Sequence, residues 1–524
     1  MRARPLLRSV LSVLLLASPG LLVTEASAKV VWTPPAQLDS AGVGSVAVAA
    51  NDRGDMVAVW ARSARLYGSV RPAGGQWSRA AAISESGIDM AGPTGITAVI
   101  DRAGNPTVAW LELEYGYARP QGCTTCGDFL YVAHGSADGS WDAPKQLTDD
   151  AGAAPSLALH GDGDVTAAWF EQYPELGDGQ EQGEPNNIIK IAERPAQGSW
   201  SAPQEAPFKG VTPSVVALPG GALVMVWGQP GNTTSSSGFD VIAATRSSQG
   251  EWSAPAIVDA STRMRSTPEV VSGPDGEVTA AWTSCAVTTD GVSTDCEVTL
   301  ATKAPSGTWT PAVAIQPQAY TSKPELAVDG AGTVTAAWLD EDAARVMASR
   351  RGAGAAWETP TPVSSSSTKA FAADLAADRA GNVVATWMAP TDQQPGVVSA
   401  YRPAGGTWQA PATVHRAVPG GYRYDVPQVA AAPDRFTVVY RGDAAWFSDR
   451  VDDVTAPTAR LVKPSRAAVT GTNVRVAWQA EDDAAGVARV VVRRRAARYD
   501  DGFGDWTVWK RTTASAATFG GGPG

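Results

Sequence analysis

Three carboxylates in this 524-residue chain stand two positions after a tryptophan: Glu112 after Trp110, Glu171 after Trp169 and Asp340 after Trp338. Tyr115 and Tyr117 follow the first of them, and Tyr173 the second. Carboxylates interleaved with tyrosine hydrogen-bond sugar hydroxyls while the rings stack on sugar faces, so these six residues form the candidate ligand-binding set. An acidic, solvated rim has the same composition. Two carboxylates on either side of one ligand also act as acid and base, which makes Glu112 and Glu171 the candidate catalytic pair of an alternative, enzymatic reading.

The remaining reactive residues point elsewhere. Cys285 and Cys296 flank "AVTTDGVSTD", a spacing suited to a disulfide that closes a hairpin. Cys123 and Cys126 in "CTTC" are expected to pair with each other, because the redox reading of CxxC needs a βαβ setting that this sequence lacks. A zinc site would have to bring these two distant pairs together. Of the three histidines, His134, His160 and His415, none has an acid or nucleophile at a recognisable spacing. The chain contains no G-x-S-x-G elbow, no P-loop and no H-E-x-x-H helix. "GDGDV" at 161–165 lacks the later glutamate of a calcium loop, and the "RGD" at 53–55 falls in a repeated turn. The expectation is therefore no metal and no cofactor.

What positions the carboxylates is a repeat. "DGDVTAAW" ends at Trp169, "DGEVTAAW" at Trp282 and "AGTVTAAW" at Trp338, with weaker copies ending at Trp60, Trp110, Trp227, Trp387 and Tyr440. Eight copies at a period of about 54 residues indicate an array of one supersecondary unit. Each copy reads as a strand, a turn rich in Asp and Gly, and a strand closing on the aromatic anchor, which is a hairpin signal. A second half follows, such as "VIAATRSS", a glycine turn and "GEWSAP". Four short strands per unit without helical periodicity predict an all-β fold, an eight-bladed β-propeller. The second-half tryptophan comes first in the chain, at Trp32, and is missing from the last unit. "VVWTPPAQL" at 30–38 is thus predicted to be the fourth strand of the unit ending in "AAWFSDR", closing the ring and covering its edges. The segments joining second to third strands are long in the second to fifth units, and long insertions on one face are how repeat folds build binding surfaces.

The turns "SADGSW" at 136–141 and "APSGTW" at 304–309 resemble the Asp-box turn of sialidase-like propellers. They depart from it in having Gly two residues before Trp and, in most copies, no Asp. The resemblance implies the architecture; the arginine cluster, Tyr–Glu nucleophile and acid Asp of that family are matched to no residues here. The tail, with "DDAAGVARVVVRRR" at 482–495, resembles the fibronectin type III-like sandwiches of bacterial secreted proteins, shortened at its end. The expected organisation is a signal peptide at 1–28, a propeller at 29–450, a linker at 451–458 and an incomplete immunoglobulin/fibronectin III-like domain at 459–524.

The signal peptide rests on Arg2, Arg4 and Arg8, an apolar run, and "ASA" at 26–28, with cleavage after Ala28. No later apolar run is long enough to span a bilayer. The whole chain carries a net charge of -11. Such an acidic exported protein lacks the clustered basic surface that nucleic acid requires. These features together predict a secreted, monomeric binding or adhesion protein that recognises a glycan or a cell-surface protein. A sialidase-like glycoside hydrolase or polysaccharide lyase is the alternative, and a structural spacer the third reading.

Overall fold

The computed structural model describes residues 31–40, 42–85, 90–114, 128–173, 186–230, 239–260, 266–287, 293–316, 321–390, 395–422 and 425–451, and within the tail 458–463, 473–481, 490–494, 497–498, 502–503, 507–512 and 514–520. All regular structure among them is β. Two compact units emerge: Pro34–Asp449, and Arg450–Gly524 with the described residues 31–33.

In the larger unit the strands group in chain order into antiparallel sheets. Sheets one to seven span 46–82, 90–151, 156–209, 211–259, 269–316, 325–362 and 371–415, each with four strands. The second and third are joined by the single pair Ala151↔Glu171. An eighth group is formed by Gln428–Ala432, Arg435–Arg441 and the strand beginning at Ala445. Its outer position is taken by Ala36–Asp39 from the start of the chain, through the pairs Ala36↔Phe447, Gln37↔Trp446 and Asp39↔Ala445.

The repeated letters follow from packing. A second strand with sheets on both of its faces must be apolar on both, and Met56, Val57, Ala58, Val59 and Trp60 are all at 0% exposure. Apolar clusters join sheet one to two through Val59 and Trp110, two to three through Leu111 and Trp169, and three to four through Phe170 and Trp227. They continue from four to five at Trp282, five to six at Trp338 and six to seven at Trp387. Sheet seven meets eight where Asp374 Oδ2 accepts from Val429 N at 2.7 Å, and eight meets one through Val439, Ala58 and Trp60. The succession therefore returns to its start, the arrangement of a propeller. Between first and second strands an Asx side chain closes the turn: Asp101 Oδ1 accepts from Ala103 N and Asn105 N, both at 2.8 Å. Gly104 completes that turn at φ 86°, where a Cβ is disfavoured.

The second half differs from its sequence reading in one respect. The tryptophan of "GSW" or "GEW" does not lie in the fourth strand; Trp141, Trp252 and Trp309 make isolated bridges to the end of the third strand. The fourth strand begins beyond the following proline, at Lys145, Ala256 and Val313, because proline has no N–H to give a ladder.

In the smaller unit Thr458–Lys463, Asn473–Glu481 and Ala516–Gly520 form one antiparallel sheet, and Val490–Arg494 pairs with Thr507–Thr512. Among its described residues Val476, Trp478, Val491 and Val492 are buried apolar side chains.

Candidate functional site

Residues two apart on a strand share a face, and this places the nominated carboxylates against their own anchors. Glu112 Oε1 accepts from Trp110 Nε1 at 2.8 Å, and Glu171 Oε1 accepts from Trp169 Nε1 at 3.2 Å. Both glutamates are buried, at 7% and 3% exposure. Burial holds the Glu112 carboxyl above the usual carboxylate range, against the lowering effect of the indole donor. Lys190, which lies across the strand pair from Trp169, reaches Glu171 Oε2 at 3.6 Å and Glu205 at 3.0 Å. Asp340 behaves differently. Its Oδ1 accepts from Ala343 N at 2.9 Å and shapes the turn into the third strand, while the indole of Trp338 has no hydrogen-bond partner among the described residues.

Tyr173 ends its strand opposite Asn186, and the position of its side chain lies outside the description. Tyr115, Tyr117, Cys123 and Cys126 lie outside the described residues. Cys285 and Cys296 form a disulfide between the second and third strands of sheet five, both buried. His134 and His160 contact Thr107 and Thr166 at 3.1 and 3.0 Å, and His415 sits edge-on to Tyr440 and Trp446. Among the described residues no three His, Cys, Asp or Glu side chains converge as a metal site would require.

Two features escaped the sequence reading. In sheet one the indole of Trp60 is served by Asp39, whose Oδ2 accepts at 2.9 Å and which also holds Arg62 at 2.6 Å. This acid arrives from the closing strand, so no local spacing announces it.

The second feature lies on the first strands, which neighbour one another all round the unit. One register position, paired with the residue just before the aromatic anchor, carries Ser156, Ser214, Glu269, Glu325, Asp374 and Gln428 in sheets three to eight. These first strands are edge strands, and the side chains at this position cap free amides of the next one: Ser156 Oγ accepts from Val215 N at 3.0 Å, as Asp374 does from Val429. In sheets five to seven the position is acidic. Lys323 joins the acids, with Nζ 2.8 Å from Glu269 and 3.6 Å from Glu325. Their side chains keep 28% (Glu269), 30% (Glu325) and 36% (Lys323) exposure. Burial pushes Glu325 up to about 8, and the negative charges of Glu269 and Asp374 add to this against the pull of Lys323. Burial likewise raises Asp374 to about 6, against the amide of Val429. Glu325 is thus a proton holder at neutral pH. The letters "PEV" and "PEL", where other units have "PS", were the available signal.

At the hairpin-turn ends of sheets three to five a depression of about 1100 Å³ opens, rimmed by Asp52 and Arg379. Its strongest charges already pair, Arg246 with Glu193 and Arg379 with Asp52.

No family model matches the chain, and no curated protein does. Among solved structures it is similar to an ulvan lyase of a polysaccharide lyase family bound to a sulfated glucuronate–rhamnose ligand, at 11% identity and a TM-score of 0.45, covering 80% of this chain and 96% of that one. A protein of unknown function from Dyadobacter fermentans gives 12% identity and a TM-score of 0.42 over 70% and 97% of the two chains. The NanB sialidase of Streptococcus pneumoniae gives 9% and 0.37 over 76% and 83%. Likenesses this distant carry no argument about this chain's chemistry.

Proposed function

We propose that this protein is exported and that its larger unit is an eight-bladed β-propeller, followed by a fibronectin III-like module, which binds a glycan or a cell-surface partner. Recognition falls to the face carrying the links between second and third strands. The observation that supports binding rather than turnover is the engagement of the nominated carboxylates. Glu112 and Glu171 are buried and tied to the indoles of their own sheets, at the feet of the segments 115–127 and 174–185. In that position they brace a recognition surface in which Tyr115, Tyr117, Tyr173 and Asp340 take part. A carboxylate committed to a structural donor is a poor general base.

One observation favours the glycan-active enzyme instead: burial keeps the Glu112 carboxyl protonated to higher pH, as a general acid requires. A glycan array with the full chain, followed by Glu112→Gln and Glu171→Gln, separates the two. Glutamine keeps an oxygen for the indole, so the fold is expected to survive. Binding that both variants keep to within about threefold of the wild type, with no product released by the wild type, is the expected result. Product release by the wild type that Glu112→Gln abolishes would retire the binding reading.

A further inference from the structure

A basic residue ends the third strand in six sheets, six positions before the outer tryptophan: Arg71, Arg194, Arg246, Lys303, Arg351 and Arg402. In three of them the guanidinium reaches a carboxylate of the preceding sheet. Arg71 Nη1 lies 3.0 Å from Asp449, Arg246 pairs with Glu193, and Arg351 pairs with Glu277. Arg194 instead donates to the carbonyls of Pro195 and Ala196, at 3.3 and 3.4 Å.

Arg402, in sheet seven, has neither arrangement. It is 4% exposed, its Nε is a buried donor without an acceptor, and its side chain makes no hydrogen bond or ion pair among the described residues. The reason can be read in sheet six. Glu193 stands one residue before the terminal base of its third strand, and sheet six has Arg350 at that position. Glu277 stands immediately before its second strand, where sheet six has Thr333. Both places from which a neighbour supplies an acid have lost it, and one now carries a like charge. Burial first, and then Arg350, depress the Arg402 pKa, against the pull of Asp329 and Glu358, neither of which comes within ion-pair distance of it. Between the two sheets lies a cavity of about 310 Å³, lined by Arg402, Arg350, Glu358, Thr335, Thr407 and Trp408, in which Arg350 Nε already lies 2.6 Å from Glu358 Oε1.

We propose that this cavity between sheets six and seven binds a single oxyanion, a carboxylate, sulfate or phosphate group, held by Arg402, while Arg350 stays on Glu358. A guanidinium presents a planar fork of donors that matches such a group. A buried charge without a counter-charge destabilises its surroundings, and an entering anion restores the pairing that three other sheets obtain from their own side chains. The hydroxyls of Thr335 and Thr407 supply further donors, whereas that of Ser349 already donates to the Glu358 carbonyl at 2.6 Å. The acid is either a free inorganic ion or the charged end of an organic molecule, and the site is independent of the loop face discussed above.

Thermal unfolding and calorimetric titration of the full chain with sulfate, phosphate, acetate and glucuronate, at ionic strength matched with chloride, test this. At least one oxyanion is expected to raise Tm saturably where chloride does not. Glucuronate acting alone assigns the site to an organic acid; sulfate or phosphate acting alone assigns it to a free ion. Thr333→Glu supplies internally the acid that sheet five has. It is expected to raise Tm without added anion and to weaken anion binding about tenfold or more, and Arg402→Gln, which removes the guanidinium itself, is expected to abolish the binding. The proposal is overturned if all four anions leave Tm at its chloride value, or if both variants bind as the wild type does.

Discussion

Glu325→Gln is expected to unfold at a clearly higher temperature than the wild type at pH 9 and at nearly the same temperature at pH 5. In the folded chain Glu325 holds its proton up to about pH 8, while its ordinary value is 4.5. A folded-state pKa above the unfolded one means that the folded protein binds more protons between the two values. Stability is then fully present below about pH 4.5 and declines as pH rises through 8. Asp374, raised to about 6, adds a decline of the same sign at lower pH in both proteins. Lys323 retains Glu269 as its partner in the variant, 2.8 Å away, so the glutamine strands no charge. The gain at pH 9 is on the order of 2–3 kcal/mol, below the full value of the shift because the side chain remains partly wetted. Melting curves from pH 5 to 9 check it. Parallel curves for the two proteins would remove Glu325 as the source.

The second large effect is expected from Asp39→Ala. This residue sits on the closing strand with a 6% exposed side chain, accepts from the buried indole of Trp60, and faces Arg62 at 2.6 Å. Truncation leaves a buried N–H without an acceptor and a half-buried guanidinium without its counter-charge. Together these cost about 3 kcal/mol. The weakness is placed where Ala36–Asp39 pairs with Ala445–Phe447. Denaturant unfolding gives the loss in stability, and limited proteolysis is expected to cut near residue 40 sooner than in the wild type. Asp39→Asn keeps an acceptor for the indole and is expected to recover part of the loss. A stability unchanged in Asp39→Ala would show that water replaces the carboxylate at both donors.

The larger unit was legible in the sequence to the extent that its information is local. The Asp-Gly turns, the apolar "VTAAW" strands and the aromatic anchors each state a hairpin within ten residues. The displaced first tryptophan was enough to pair the chain's start with its last repeat. The bond between Cys285 and Cys296 was readable because both cysteines belong to one hairpin. What escaped notice depends on which sheets are neighbours. Trp60 finds its acceptor on a strand that belongs to the eighth group, and Lys323 binds an acid from the sheet before its own. The vacancy opposite Arg402 emerges only when sheet six is compared with sheets three and five. Glu112 and Glu171 show the converse. Their spacing from tryptophan was noticed, but whether the two side chains meet is a matter of strand geometry, and it decides between a brace and a reactive group.

The pairing of Ala36–Asp39 with a strand that starts at Ala445 has a consequence for the order of events in assembly. The earliest strand of the unit must wait, with its amides unsatisfied, until nearly all of the remaining chain has been delivered. Loop-closure entropy on that scale makes the last step slow and non-local. Until then the strand that starts at Ala445 keeps an open outer edge, so the species just before closure is the one most exposed to edge-to-edge association.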